Sequence, residues 1–299
     1  MRITAAVLAL AASVAPIATW AQEVTIETAR GPVTLEANPE SVAVYDMAAM
    51  DTLDALGVVP TGRIDNLRLK RLEHLDSATP VGTIFEPDLE KLAGLNPDLT
   101  IVGGRSAPKL QDVAQLSNAI DMTIGEDIIG DSRKRLAAYG TIFGLENKAA
   151  QMDAALQAKL DKVQAEAKNQ GTALVVLTNG PKISAYGVGS RFGWIHNAVG
   201  LPQAAQGLAV DPHGNAISFE FIAEHNPDWL FVIDRGAAIG AEGESAKDTL
   251  DNPLVAQTNA AKNGHILYLN AADAYIAGGG YQAMMEMLDQ VDAAFGADS

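Results

Sequence analysis

The chain has 299 residues, 48% hydrophobic and 19% charged, with a net charge of −16 and no cysteine. That length suits two domains better than one core. The acidic balance argues against nucleic-acid and anionic-membrane partners, and the absence of cysteine excludes both disulfides and an acylated-cysteine anchor.

In chain order, Arg2 precedes the apolar run "ITAAVLALAASVAPIA" and then "TWAQE", with Thr19 and Ala21 at the −3 and −1 positions. This predicts a signal peptide over residues 1–21 and a soluble protein released into the periplasm without a lipid anchor. "EVTIETARGPVTLEA" reads as strand-like, "SVAVYD" as a buried strand, and "MAAMDTLDALG" as a helix ended by Gly57. "PDLEKLAGLNPDLTIV" reads as helix, turn and strand, and "APKLQDVAQLSNA" as a further helix. From Asp131 to Gln170 the pattern is helical, interrupted at "FGLEN". Its second half places Ala149, Met152, Leu156, Leu160 and Val163 three or four apart, with no glycine or proline inside, and suits a rigid strut.

The cycle then restarts with the strands "TALVVLT" and "KISAYG", and "SFEFIAEHNPDWLFVIDR" echoes "PDLEKLAGLNPDLTIVGGR". Glu90 precedes Asn96 by six positions and Arg105 by fifteen; Glu220 precedes Asn226 and Arg235 by the same intervals. Each copy predicts a glutamate at a helix start, a turn at Asn-Pro-Asp, an apolar strand, and an arginine at that strand's C-terminal end. Alternating strands and helices imply parallel sheets, whose carboxyl ends are where open α/β folds bind ligands. The expected fold is α/β: two Rossmann-like lobes with parallel sheets, joined by one long helix, with a ligand cleft between them. The expected boundaries are 22–145 for the N-terminal lobe, 146–168 for the connecting helix and 169–299 for the C-terminal lobe.

The chain resembles the periplasmic binding proteins of iron–siderophore ABC importers, and more narrowly their catecholate subgroup. The resemblance rests on "LTNGPKISAYGVGSRFGWIHNAVG", "HGNAISFEFIAEHNPDWLFVIDR", "DNPLVAQTNAAKNGHILYL" and "AYIAGG". It implies a monomeric carrier, not an enzyme, that delivers a ferric siderophore to a membrane permease; it has no intrinsic cofactor, and ferric iron is its cargo. Arg105, Arg191 and Arg235 match the family positions that hold the anionic chelate, a role suited to a planar, permanently charged guanidinium. His213 in "DPHGNA" and Tyr275 in "DAYIAGG" match the positions that bind the iron itself, and both are expected in loops. Phenolate is a hard donor suited to ferric iron, and imidazole is an acceptable companion. Glu90 and Glu220 match the carboxylates that dock on permease arginines; at helix starts they also favour the helix dipole.

His74, His196, His225 and His265 form no metal-ligand spacing. The glycine-rich "AGGGYQAMMEML" lacks the lysine of a phosphate-binding loop, and its glycines are expected to keep the backbone close to the ligand. The alternatives are a carrier for another metal chelate, such as haem or a corrinoid, or a metalloenzyme using His213 and Tyr275. No serine–histidine–acid or paired-carboxylate constellation supports catalysis.

Overall fold

The computed structural model describes residues 22–296, so the expected signal peptide lies outside the described residues. A hairpin opens the fold, β1 (Glu23–Thr28) pairing antiparallel with β2 (Gly31–Glu36). The first lobe follows: β3 (Val42–Val44), α1 (Met47–Leu56), β4 (Gly62–Arg63), a 3-10 helix (Lys70–Ser77), β5 (Thr79–Pro80), α2 (Leu89–Leu95) and β6 (Leu99–Val102). A second 3-10 helix (Gly104–Lys109) leads into α3 (Leu110–Val113) and β7 (Asn118–Asp121). The five strands β3 to β7 are all parallel, in the order β5-β4-β3-β6-β7. The helix read from "APKLQDVAQLSNA" is thus shorter than expected, because Pro108 holds its start in 3-10 form and Asn118 already belongs to β7.

Two helices then cross between the sheets, α4 (Ile128–Ile142) and α5 (Glu146–Glu166). The expected stripe on α5 is buried, and it changes core halfway. Ala149 and Met152 pack into the first lobe, whereas Leu156, Leu160 and Val163 pack into the second. One continuous helix anchored in two cores is a stiff connection.

The second lobe contains β8 (Ala173–Asn179), β9 (Lys182–Tyr186), α6 (Trp194–Val199), β10 (Asn215–Ile217), α7 (Phe219–His225) and β11 (Trp229–Asp234). It continues through α8 (Arg235–Ile239), α9 (Ala246–Leu250), α10 (Asn259–Asn263) and β12 (Ile266–Tyr268). Its sheet order is β10-β9-β8-β11-β12; β8, β11 and β12 are parallel, and β9 alone is reversed, pairing antiparallel with both β8 and β10. This sheet is mixed where two parallel sheets were expected. Only Gly180 and Pro181 separate β8 from β9, and a two-residue link can join only antiparallel strands. Along β8 and β11, alternate residues enter two separate cores: Val175 and Phe231 on one face, Val176 and Val232 on the other.

The chain ends with α11 (Ala271–Tyr275) and α12 (Tyr281–Gly296). Helix α12 packs on α1 and on α5, and Lys159 bonds to both Asp289 (2.6 Å) and Asp292 (3.0 Å). Ala283 joins the first-lobe core while Met284, Met287 and Leu288 join the second. The C-terminal stretch therefore bridges the lobes. Among the described residues no helix is long and apolar enough to cross a membrane.

Candidate functional site: an arginine cage around Tyr275

The duplicated motif folds twice in the same way. Asp88 and Ser218 cap α2 and α7 through their side chains, placing Glu90 and Glu220 in the exposed first turns. Asn96 (φ 48°) and Asn226 (φ 39°) end both helices in the left-handed conformation that asparagine tolerates. The following aspartates then reach across the sheet: Asp98 accepts from the amides of Glu40 and Ser41, and Asp228 from that of Thr172. Each unit thus pins a strand ending at an arginine, Arg105 three residues beyond β6 and Arg235 directly after β11.

Arg191 is presented differently, by a tight loop from Gly187 to Gly193. The Ser190 amide (3.1 Å) and hydroxyl (2.6 Å) both donate to the Gly187 carbonyl. A Cβ at Gly193 would lie 1.7 Å from that same oxygen, so only glycine closes the turn.

The three arginines converge on one tyrosine. Arg105 Nη2 (3.0 Å) and Arg191 Nη2 (3.1 Å) donate to the Tyr275 carbonyl, and Arg235 Nε donates to its Oη (3.1 Å). Their guanidinium carbons sit 5.3, 4.5 and 5.8 Å from the ring centroid, respectively. Arg191 also lies over Phe192 at 4.7 Å, and Arg235 Nη1 donates to Asn179 Oδ1 (3.1 Å). Tyr275 is the last residue of α11 rather than a loop residue, which fixes its carbonyl where both arginines reach it.

Arg105, Arg191 and Tyr275 line an inter-lobe cavity of about 530 Å³, walled also by Asp46, Trp194 and Val210. Burial and the charge of Arg191 pull Arg105 below an ordinary arginine pKa. Burial alone would push the Tyr275 phenol up, but the neighbouring Arg235 and Arg191 outweigh it and hold the phenol below the usual tyrosine value. The cage is a concentration of positive charge in a protein of net charge −16. Such a site attracts a bulky anion and makes the phenol easier to ionise than a free tyrosine.

His213 lies apart from this cage. Its side chain is exposed and absent from the cavity wall; its carbonyl accepts from Tyr186 Oη (2.9 Å), and its amide donates to Asp211 Oδ1 (2.6 Å). Its neighbour Pro212 does line the cavity, so the loop forms part of the rim. Among the described residues no three His, Cys, Asp or Glu side chains are grouped to hold a metal ion. The glycine-rich run divides between two places: Gly278 lines the cavity beside Tyr275, as expected, and Gly280 faces the first lobe. A Cβ at Gly280 would meet Asp51 Oδ2 at 2.5 Å, so that glycine lets the chain pass close against the other lobe.

Asp46 was not singled out from sequence. It caps α1 through the Ala49 amide (2.8 Å) and lines the cavity near Arg105. It touches the cavity surface, yet most of its surroundings are protein, and that burial raises its carboxyl pKa against the pull of Ala49 and Arg105. It stands just past β3, so the strand-end rule that selects Arg105 also selects Asp46.

Two α/β lobes, a stiff helical connection and a cationic cleft between them define a carrier that encloses a small anionic ligand. The Periplasmic binding protein family profile matches residues 42–272, and the chain belongs to that family, whose members bind solutes and do not catalyse reactions. Among its relatives is the petrobactin-binding protein YclQ of Bacillus subtilis, 37% identical over 85% of this chain and 82% of that protein. The crystal structure of YclQ superposes with a TM-score of 0.85 over 92% of this chain and 99% of that one. The ferric-anguibactin-binding protein FatB of Vibrio anguillarum is 30% identical over 90% of this chain and 86% of its own length. The periplasmic catecholate-siderophore binding protein VctP of Vibrio cholerae is 28% identical, with a TM-score of 0.85 over 91% of this chain and all of that chain.

Proposed function

We propose that this protein captures a ferric siderophore, of the catecholate type, in the cleft between its lobes and delivers it to the permease of an ABC importer. The observation that carries this reading is the cage: guanidinium groups from both lobes meet around one phenol at the wall of a cavity large enough for a metal chelate. A ferric catecholate is anionic, and planar, weakly hydrated guanidinium is the cation suited to its oxygens. The siderophores named for YclQ, FatB and VctP support the same ligand class.

In this reading Arg105, Arg191 and Arg235 hold the chelate, and Tyr275 offers a phenolate oxygen to iron. His213, exposed on the rim loop, is the second protein donor to iron in this reading. Glu90 and Glu220, exposed at equivalent helix starts, dock on the permease. The protein works as a periplasmic monomer after removal of residues 1–21. Its lobes span 22–145 and 169–299 around the connecting helix 146–168.

The test is mass spectrometry of the ligand retained by protein purified from iron-starved native cells. A ferric siderophore is the expected mass; haem, a corrinoid or an iron-free metabolite would replace this reading.

A further inference from the structure

Behind the cage lies a second charged cluster that joins the two lobes. Arg71 stands in the 3-10 helix Lys70–Ser77 of the first lobe, which Arg63 ties to the sheet by donating to the Leu75 carbonyl (3.2 Å). Arg71 Nε donates to Asp51 Oδ1 of α1 at 2.8 Å. Its Nη2 lies 2.6 Å from Asp273 Oδ1 of α11, across the lobe boundary. Both carboxylate side chains have no solvent exposure, and that of Arg71 is 26% exposed. The Asp273 carboxylate finds no aligned hydrogen bond among the described residues, so the ion pair with Arg71 is its main polar support.

Two carboxylates against one guanidinium leave a buried negative charge, which is costly unless other groups stabilise it. The N-terminus of the sixteen-residue helix α12 does so in part, the Ala283 amide donating to Asp51 Oδ2 (3.0 Å). The neighbouring groups add to the join: the Tyr281 amide donates to Thr52 Oγ1 (3.1 Å) and Gln282 Nε2 to Asp54 Oδ2 (2.8 Å).

Tyr275 lies between these anchors. The chain from Asp273 to Ala283 leaves the second-lobe sheet but is gripped by the first lobe at three points. Arg71 holds it at Asp273, Arg105 at the Tyr275 carbonyl, and α1 at residues 281–283. Arg191 and Arg235 come to the same tyrosine from the second lobe. The register of α11 against the first lobe therefore decides whether all three arginines meet at one place.

We propose that Arg71 is a positioning residue for the ligand cleft: with Asp51 and Asp273 it forms a buried inter-lobe clamp that holds α11, and so Tyr275, in register with Arg105. The role rests on the reading of the cleft as a ferric-siderophore site, but the clamp can be tested with and without ligand.

The informative variant is Asp273→Asn, which keeps the side chain's shape and leaves Arg71 and Asp51 as a one-to-one pair. Removing the surplus buried charge should leave the melting temperature unchanged or raised, while affinity for a ferric bis-catecholate falls about five- to twentyfold. A purely structural role would move stability and affinity together. Arg71→Lys keeps the charge but cannot fork between two carboxylates, so it should lose affinity to a smaller extent. In the ligand-free protein, hydrogen exchange at the amides from Ile276 to Ala283 should quicken in Asp273→Asn. Unchanged affinity with unchanged exchange would overturn the clamp, and so would a loss of affinity that merely tracks a loss of stability. If the wild type fails to bind the ferric bis-catecholate, the siderophore reading falls, and the exchange measurement still decides the clamp.

Discussion

Arg105→Ala is the perturbation with the most direct structural arithmetic. Arg105 is the only one of the three cage arginines supplied by the first lobe, and its removal leaves an anion held by the second lobe alone. A unit charge about 4 Å from an anionic oxygen is attracted by about 4 kcal/mol at the effective dielectric of a protein surface. Against this stand the desolvation of Arg105 and its repulsion from Arg191, the two effects that lower its own pKa. The net should be that of one charged hydrogen bond, about 1.5–3 kcal/mol, or roughly ten- to 150-fold in Kd. The lost repulsion from Arg191 offsets part of what the fold loses, namely the first-lobe bond to the Tyr275 carbonyl and the attraction to Asp46, so the melting temperature should fall less than the affinity. Trp194 lines the cavity, so quenching of intrinsic fluorescence reports occupancy. Arg105→Lys should recover part of the loss, as charge returns without the planar fork. Wild-type affinity in Arg105→Ala would refute the placement of the ligand against the cage.

Three further outcomes follow from other parts of the molecule. Tyr275→Phe should weaken binding of a four-donor ferric bis-catecholate and shift its charge-transfer band, yet cost little with a six-donor tris-catecholate that leaves iron no open position; equal losses and an unchanged spectrum would remove the phenolate from the iron. The Glu90→Ala, Glu220→Ala double variant should keep its siderophore affinity and lose uptake through the cognate permease, and normal uptake would place docking elsewhere. Asp51, pushed up to about 6 by burial, is ionised near neutral pH but between about pH 4 and 6 binds a proton in the native state that it lacks when unfolded, so its contribution to stability declines as pH rises through that window. Asp273 is raised in the same direction, whereas Asp292, lowered to about 2, weakens the fold only in more acid solution, below about pH 4. Buried His196, lowered by burial, works the other way as pH falls, so the difference between proteins is the test: the melting temperature of the wild type relative to Asp51→Asn should rise as pH falls from about 7.5 to 5.5, and an identical pH dependence in the two would contradict the burial argument.

Much of the site was legible because its geometry is written locally. The repeated Asn-Pro-Asp turn fixes a helix end, a strand start and the arginine beyond that strand within about twenty residues, and the structure forms both copies alike. The stripe on α5 was equally local, and its five buried residues match the expected ones. Contacts between distant segments were not legible. Nothing near Asp51 in sequence announces that Arg71 and Asp273 will bury their charges against it. The mixed second sheet hung on one two-residue link, and Tyr275 took a helical place because Asn270 caps α11 through its side chain. His213 shows the limit of matching positions: its chain segment is at the cavity rim, but its imidazole is not on the wall.

Selection of an anionic ferric chelate is the property that the cage confers in this reading. It is tested most directly by titrating the ligand-free protein with a ferric bis-catecholate, the same ligand without iron, and a neutral ferric chelate, following tryptophan fluorescence and heat. The anionic ferric complex should quench saturably and one-to-one, with much weaker binding of the other two. Absence of quenching, or equal binding of the neutral chelate, would contradict that selection.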